Sequence, residues 1–86
     1  MIFIETCYGD IINAEDIHAI LYSDGNIIIR YAHGQTIYTE CDEYSCSYKS
    51  IVRCLLTFIM GHIDEGTSAF IEYSTVMSAA RGVEGK

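Results

Sequence analysis

The 86-residue chain has no proline, no tryptophan, only five lysines and arginines, and no long apolar run. Its seven glycines stand singly, which excludes a collagen-like chain, and its hydrophobic content of 50% excludes an intrinsically disordered one. The most apolar stretch, 51–60, is far shorter than the ~20 residues of a membrane span. We therefore expect residues 1–86 to form one domain with a thin core, too small for a deep active site.

The scarcity of basic residues leaves a net charge of -7, with 12 acidic side chains against five basic ones. Phosphate backbones would be repelled by this field, so direct nucleic-acid binding is not expected. A basic protein surface would be attracted, including a surface that normally holds nucleic acid. The same charge also keeps a small domain soluble, so it permits a basic partner without requiring one.

The N-terminal sequence predicts a cytoplasmic protein without membrane contact, because Glu5 interrupts the first apolar residues and no basic segment precedes them. In that compartment cysteines are usually reduced thiols. Only Cys41 and Cys46 have the loose spacing of a metal-ligand pair, and the histidines are scattered. We therefore expect no metal ion and no other cofactor.

Alternation of apolar residues predicts a strand over 2–8, with Ile2 and Ile4 on its better-buried face. A short strand at 11–12 can return beside it. Asn13 is followed by acidic residues and suits a single helical turn, because its side chain can accept hydrogen bonds from unpaired amides.

The pair Asp24-Gly25 predicts a tight hairpin between strands at 17–22 and 27–32. A second turn at Gly34 leads to a further strand at 35–41. The first half of the chain is therefore predicted to be an antiparallel meander of three to five strands. Such a sheet needs a cover for its apolar face.

Side chains at helical spacing predict an amphipathic helix at about 44–60 that covers this face. Asp42, Glu43 or Ser45 is expected to cap its start. Gly61 is expected to end it. The buried stripe consists of Tyr44, Tyr48, Ile51, Val52, Leu55, Ile59 and His62.

A second amphipathic helix is predicted at about 67–81, with Arg81 in its last turn and Gly82 ending it. The alternative is a strand over 69–73, where β-forming residues cluster. The helix is preferred because the stripe is longer than the ~5 residues typical of a strand. The stripe consists of Ala69, Phe70, Tyr73, Val76, Met77 and Ala80. The predicted fold class is α+β.

The sequence contains residue types that could catalyse a reaction, but no catalytic motif. Cys41 or Cys46 could serve as a thiol and His33 or His62 as a base, yet no glycine loop or nucleophile motif orders them. A free cysteine usually behaves as a small buried apolar residue. We therefore predict that the protein is not an enzyme.

Tyrosines and carboxylates concentrate at the junction of the predicted sheet and helix. Tyrosine offers a large contact area with a polar tip, and carboxylates select a basic partner. The alternative is that most of the seven tyrosines fill the core of a domain that has no tryptophan. The predicted partner-binding residues are Tyr38, Glu40, Asp42, Glu43, Tyr44, Asp64 and Glu65.

The C-terminal helix is also predicted to join two copies of the chain. Ile71 lies on the far side of that helix from its apolar stripe, and an apolar residue on an outer face favours a homodimer. The predicted self-association residues are Phe70, Ile71, Tyr73 and Met77.

Residues 1–60 contain the series Asn13-x-Glu15-Asp16-Ile17-x-x-Ile20, Asp24-Gly25, Gly34, Glu40 and Ile51-Val52. This order of elements resembles the FlbD-like family of small bacterial proteins. The resemblance implies a structural or regulatory module that self-assembles or docks on a scaffold, with no catalytic residues to carry over. Residues 61–86 depart from the family.

In size, charge and composition the chain also resembles small acidic phage-encoded inhibitors of the anti-CRISPR type, which are commonly single-domain and non-enzymatic. The function predicted from the sequence is therefore a non-catalytic module that occupies a basic surface of a larger, nucleic-acid-handling protein. The alternative is the FlbD-like module.

Overall fold

The computed structural model of the protein describes residues 1–40 and 47–84, and the side chains of residues 1–40 and 47–82. Strands and helices combine into an α+β architecture, which confirms the predicted fold class. The elements are β1 (Ile2–Glu5), β2 (Ile11–Asn13), a 3₁₀ turn (Ala14–Asp16), β3 (Ile17–Ser23), β4 (Asn26–Tyr31), β5 (Gly34–Glu40), α1 (Tyr48–Glu65), β6 (Ala69–Ile71) and α2 (Tyr73–Glu84).

The predicted meander is present as a sheet in the order β3-β4-β5 with antiparallel pairing. The hairpin between β3 and β4 turns at Asp24 and Gly25, whose φ angles are 53° and 81°. Positive φ at both central residues gives a turn whose twist matches that of the paired strands. The predicted hairpin is confirmed.

A bulge in β5 changes which side chains reach the core. Ile27 pairs with Thr39, while its neighbour Ile28 pairs with Ile37. Tyr38 is therefore an extra residue on this strand, and both Tyr38 and Thr39 are buried. Regular alternation would bury only one of two consecutive side chains.

The other sheet has the order β2-β1-β6 and joins the two halves of the chain. β1 pairs with β2 in the antiparallel sense and with β6 in the parallel sense. Ile2 and Ile4 are buried, as predicted. The predicted turn is also confirmed, because the Oδ1 atom of Asn13 accepts a hydrogen bond from the Glu15 N–H at 2.9 Å.

The predicted helix over 67–81 is wrong in its first part. Ala69–Ile71 form β6, as in the strand alternative, and α2 begins only at Tyr73. The main-chain groups of β6 bond to β1, a distant partner that local periodicity does not reveal. The N–H of Tyr73 donates to the carboxylate of Glu5 at 3.1 Å, so β1 also fixes the start of α2. Gly82, predicted to end this helix, lies inside it.

α1 also differs from its predicted bounds of 44–60. Ser47 caps the start by accepting a hydrogen bond from the Ser50 N–H at 3.4 Å. The helix continues through Gly61 and ends at Gly66, whose φ of 67° is the left-handed conformation common at helix ends. The other predicted residues of this region, Asp42, Glu43, Tyr44 and Ser45, lie outside the described residues.

The core combines side chains from both sheets with side chains from α1 and α2. Ile51, Leu55 and Ile59 are buried, which confirms three members of the stripe predicted for α1. The rings of Tyr22 and Tyr48 stack at a centroid distance of 4.2 Å and connect β3 to the start of α1. The buried apolar residues are Ile2, Ile4, Ile12, Ile27, Ile29, Tyr38, Ile51, Leu55, Ile59, Ile71, Val76, Met77 and Ala80.

Gly61 gives a first testable prediction. It lies inside α1, and no described atom is within 4 Å of the position that a Cβ would take. Since glycine in a helix costs about 0.5–1 kcal/mol relative to alanine, Gly61→Ala is expected to stabilise the domain by that amount. Urea denaturation at low protein concentration measures the change.

The matched control is Gly66→Ala. The φ of 67° at this position disfavours a residue with a Cβ, so this variant is expected to destabilise the domain by about 1 kcal/mol. Equal effects of the two substitutions would contradict the assignment of the helix end to Gly66.

Candidate functional site

The turn between β1 and β2 lies along β5 and is held there by hydrogen bonds. The N–H of Cys7 donates to the carbonyl of Tyr38 at 2.8 Å. The hydroxyl of Tyr8 donates to the carboxylate of Glu40. Within the turn, the Thr6 hydroxyl oxygen accepts from the Asp10 N–H at 3.2 Å. These contacts fix the position of Asp10.

A cleft of about 420 Å³ opens between this turn, the 3₁₀ turn and the β4–β5 turn. We call it the acidic cleft, because Asp10 and Asp16 line it and the described residues contribute no lysine or arginine to it. Its size and polar lining suit an ammonium or guanidinium group. Its described lining residues are Asp10, Ile11, Ile12, Asn13, Asp16, Tyr31, His33 and Thr36.

The carboxylates of the acidic cleft are exposed and carry charge that the described residues do not neutralise. Among those residues the single ion pair joins the Met1 amino group to Glu15, at 4.0 Å. Neither Asp10 nor Asp16 takes part in an ion pair there. Their negative charge is therefore available to a cation from outside the chain.

Within the described residues no hydrogen bond joins a thiol to a histidine ring. Burial is the main cause that raises the pKa of the Cys7 thiol, which keeps it protonated near neutral pH. The Nδ1 atom of His62 lies 3.0 Å from the Thr67 hydroxyl. Within the described ranges, no group of three or more His, Cys, Asp or Glu side chains could hold a metal ion. Cys41 and Cys46 lie outside these ranges.

The prediction that Tyr38 contacts a partner is wrong. The bulge in β5 buries its side chain completely, and its ring packs edge-to-face against Tyr73 at a centroid distance of 5.6 Å. Burial is the main cause that raises the pKa of the Tyr38 hydroxyl, with smaller contributions from Tyr73 and Glu5. Tyr38 belongs to the core, in agreement with the alternative that most tyrosines of this chain fill the core.

The other predicted partner-binding residues divide between two elements. Glu40 is exposed beside the β1–β2 turn, where Tyr8 binds it. Asp64 and Glu65 are exposed in the last turn of α1. Asp42, Glu43 and Tyr44 lie outside the described residues, so their predicted role stays a prediction.

The predicted self-association surface is largely internal. Ile71 and Met77 are buried, because β6 places Ile71 opposite Ile4 in the sheet and α2 packs Met77 into the core. Tyr73 is half-buried, and its hydroxyl lies 2.5 Å from the Thr39 hydroxyl. Phe70 alone of the four is exposed.

Sequence reasoning missed the acidic cleft. Asp10 and Asp16 are six positions apart, His33 lies further along the chain, and each has an ordinary explanation as a turn residue. The fold places the β4–β5 turn, with His33, beside the segment that carries the two aspartates. The nearest local signal was the acidic character of the helical turn that follows Asn13.

Comparison with protein-family models, with curated proteins and with solved structures found no match to this chain. Within the described residues no helix is long and apolar enough to cross a membrane.

Proposed function

We propose that this chain is a small, non-catalytic protein-binding module whose acidic cleft receives a basic side chain of a larger protein. The observation that carries this proposal is the pair of carboxylates, Asp10 and Asp16, on one cleft without a described cation to neutralise them. The net charge of -7 likewise favours a positively charged partner.

An arginine is the side chain that the lining of the acidic cleft suits best. Its planar guanidinium can donate to a carboxylate such as that of Asp10 or Asp16 and can stack on an aromatic ring such as that of Tyr31. Asn13 and Thr36 add neutral hydrogen-bonding groups. Charge-assisted contacts of this kind select a partner and speed its association.

We infer further that the partner is a nucleic-acid-handling protein and that the chain inhibits it. An acidic domain can occupy a basic surface that would otherwise hold phosphates. The FlbD-like alternative, a module that self-assembles or docks on a scaffold, stays a prediction.

The test is an affinity capture from host lysate with the double variant Asp10→Asn/Asp16→Asn. Its matched control is Asp24→Asn/Glu72→Gln, which removes the same number of charges from exposed positions that do not line the cleft. Asparagine also suits the turn conformation at Asp24. Mass spectrometry quantifies the captured proteins.

We expect the cleft variant to capture at least about tenfold less of a specific basic protein than the unmodified chain does. The control variant should capture an undiminished amount. Capture by the unmodified chain should also weaken steeply as salt rises. Equal losses in both variants would show that net charge alone attracts the protein, and undiminished capture by the cleft variant would exclude the acidic cleft.

A further inference from the structure

α1 carries a second apolar stripe at the edge of the core, and of its four members only Val52 packs against the core. Val52, Leu56, Met60 and Ile63 are separated by four, four and three residues, which places them along one side of the helix. Leu56, Met60 and Ile63 are 43%, 53% and 52% exposed. Most of this stripe lines a groove of about 710 Å³ along α1. We call it the outer stripe.

The charges beside the outer stripe oppose the dipole of their own helix. Lys49 lies in the first turn of α1 and Arg53 in the second, whereas Asp64 lies in the last turn, and all three line the groove. A helix is stabilised by acidic groups near its N-terminus and basic groups near its C-terminus, and each exposed charge contributes about 0.3–1 kcal/mol. The order on α1 is the reverse, so the interaction of these charges with the helix dipole does not stabilise α1 by itself.

An antiparallel second helix would match both features. If two copies of α1 cross at Leu56, then Val52 of each copy faces Met60 of the other. Lys49 of each copy then lies beside Asp64 of the other. Basic first turns meet acidic last turns, and the two helix dipoles oppose each other favourably.

We propose that the outer stripe is the contact surface of a homodimer, in which the α1 helices of two copies pack antiparallel. Charge complementarity between the two ends of α1 identifies the occupant as a second copy of this chain. The surface is distinct from the acidic cleft, so the two proposals fail separately. A single helix pair lies at the lower end of specific interfaces, so we expect a dissociation constant on the order of 10 µM.

Sedimentation equilibrium from about 1 to 300 µM tests the dimer with Met60→Glu, which places a charge in the outer stripe. The matched control, Phe70→Glu, introduces the same charge at a side chain of similar exposure, 49% against 53%, on the surface that the sequence predicted for self-association. Circular dichroism verifies that both variants fold.

Met60→Glu is expected to raise the dissociation constant at least about tenfold, and Phe70→Glu to change it less than about twofold. A chain that stays monomeric throughout this concentration range would overturn the proposal. So would a dimer that Phe70→Glu disrupts and Met60→Glu leaves intact.

Charge exchange tests the antiparallel arrangement. Lys49→Glu and Asp64→Lys are each expected to weaken the dimer about tenfold, because each creates two like-charge contacts in a symmetric pair. The double variant should restore the dimer to within about threefold of the original.

Both single exchanges place charges in agreement with the helix dipole, so the monomer should keep or gain thermal stability while the dimer weakens. A weaker dimer formed by an equally stable monomer would show that a contact between the copies was lost and that the monomer still folds. A double variant as weak as the single ones would overturn the antiparallel pairing.

Discussion

Leu55→Ala is expected to destabilise the domain by about 3 kcal/mol. Leu55 is fully buried on α1 between Ile51 and Ile59, at the centre of the stripe that covers the core. Removing a buried leucine side chain costs about 2–5 kcal/mol, because the apolar transfer energy is lost and a cavity remains. A domain of this size has a total stability of only about 4–13 kcal/mol, so this one substitution removes a large fraction of it.

Urea denaturation followed by circular dichroism measures this loss. The matched control is Leu56→Ala, the same substitution one position along the same helix, where the side chain is 43% exposed. Its expected cost is below about 1 kcal/mol at a protein concentration that keeps the chain monomeric. Similar costs at the two positions would contradict the orientation of α1.

Tyr38→Phe is expected to stabilise the domain by about 1–2 kcal/mol. The Tyr38 hydroxyl is buried, and no described residue forms a hydrogen bond with it. A buried polar group without a partner costs about 1–3 kcal/mol. Phenylalanine removes this cost and keeps the ring that packs against Tyr73.

Tyr73→Phe is the control for this prediction, because it removes a hydroxyl that lies 2.5 Å from the Thr39 hydroxyl. We expect it to destabilise the domain by about 1 kcal/mol. Opposite signs for these two substitutions in urea denaturation are the expected result. A destabilising Tyr38→Phe would show that this hydroxyl has a partner.

Tyr38 is also expected to make the stability of the folded domain depend on pH in the alkaline range. Burial raises the pKa of Tyr38 in the folded chain, whereas the unfolded chain has the ordinary tyrosine value near 10. Below pH ~10 both states keep the proton, and above it only the unfolded state loses it, so stability falls as pH rises. The stability of Tyr38→Phe should therefore fall less than that of the unmodified chain between about pH 9 and pH 11.

Features that depend on neighbouring residues could be predicted from the sequence. The hairpin at Asp24-Gly25, the turn capped by Asn13 and the stripe through Leu55 all follow from short-range geometry. Each can be stated without knowing what lies across the fold. The negative sign of the surface charge is likewise a property of composition.

Features that depend on distant partners could not be predicted in this way. Ile71 belongs to the core because β6 pairs with β1 from the other end of the chain. Tyr38 belongs to the core because a bulge shifts the register between β4 and β5. In both cases a main-chain hydrogen-bonding pattern overrides the local period of the side chains.

The candidate surfaces show the same division. The residues of the outer stripe have helical spacing, but only the packing of α1 reveals that Leu56, Met60 and Ile63 are exposed. Asp10 and Asp16 belong to one short segment, and the fold brings Tyr31, His33 and Thr36 from β4, β5 and the turn between them to the same cleft.

The sequence by itself determined the elements and the sign of the charge, because both arise from adjacent residues and composition. Tertiary structure decided which side chains are exposed together, because that depends on contacts between residues far apart in the chain.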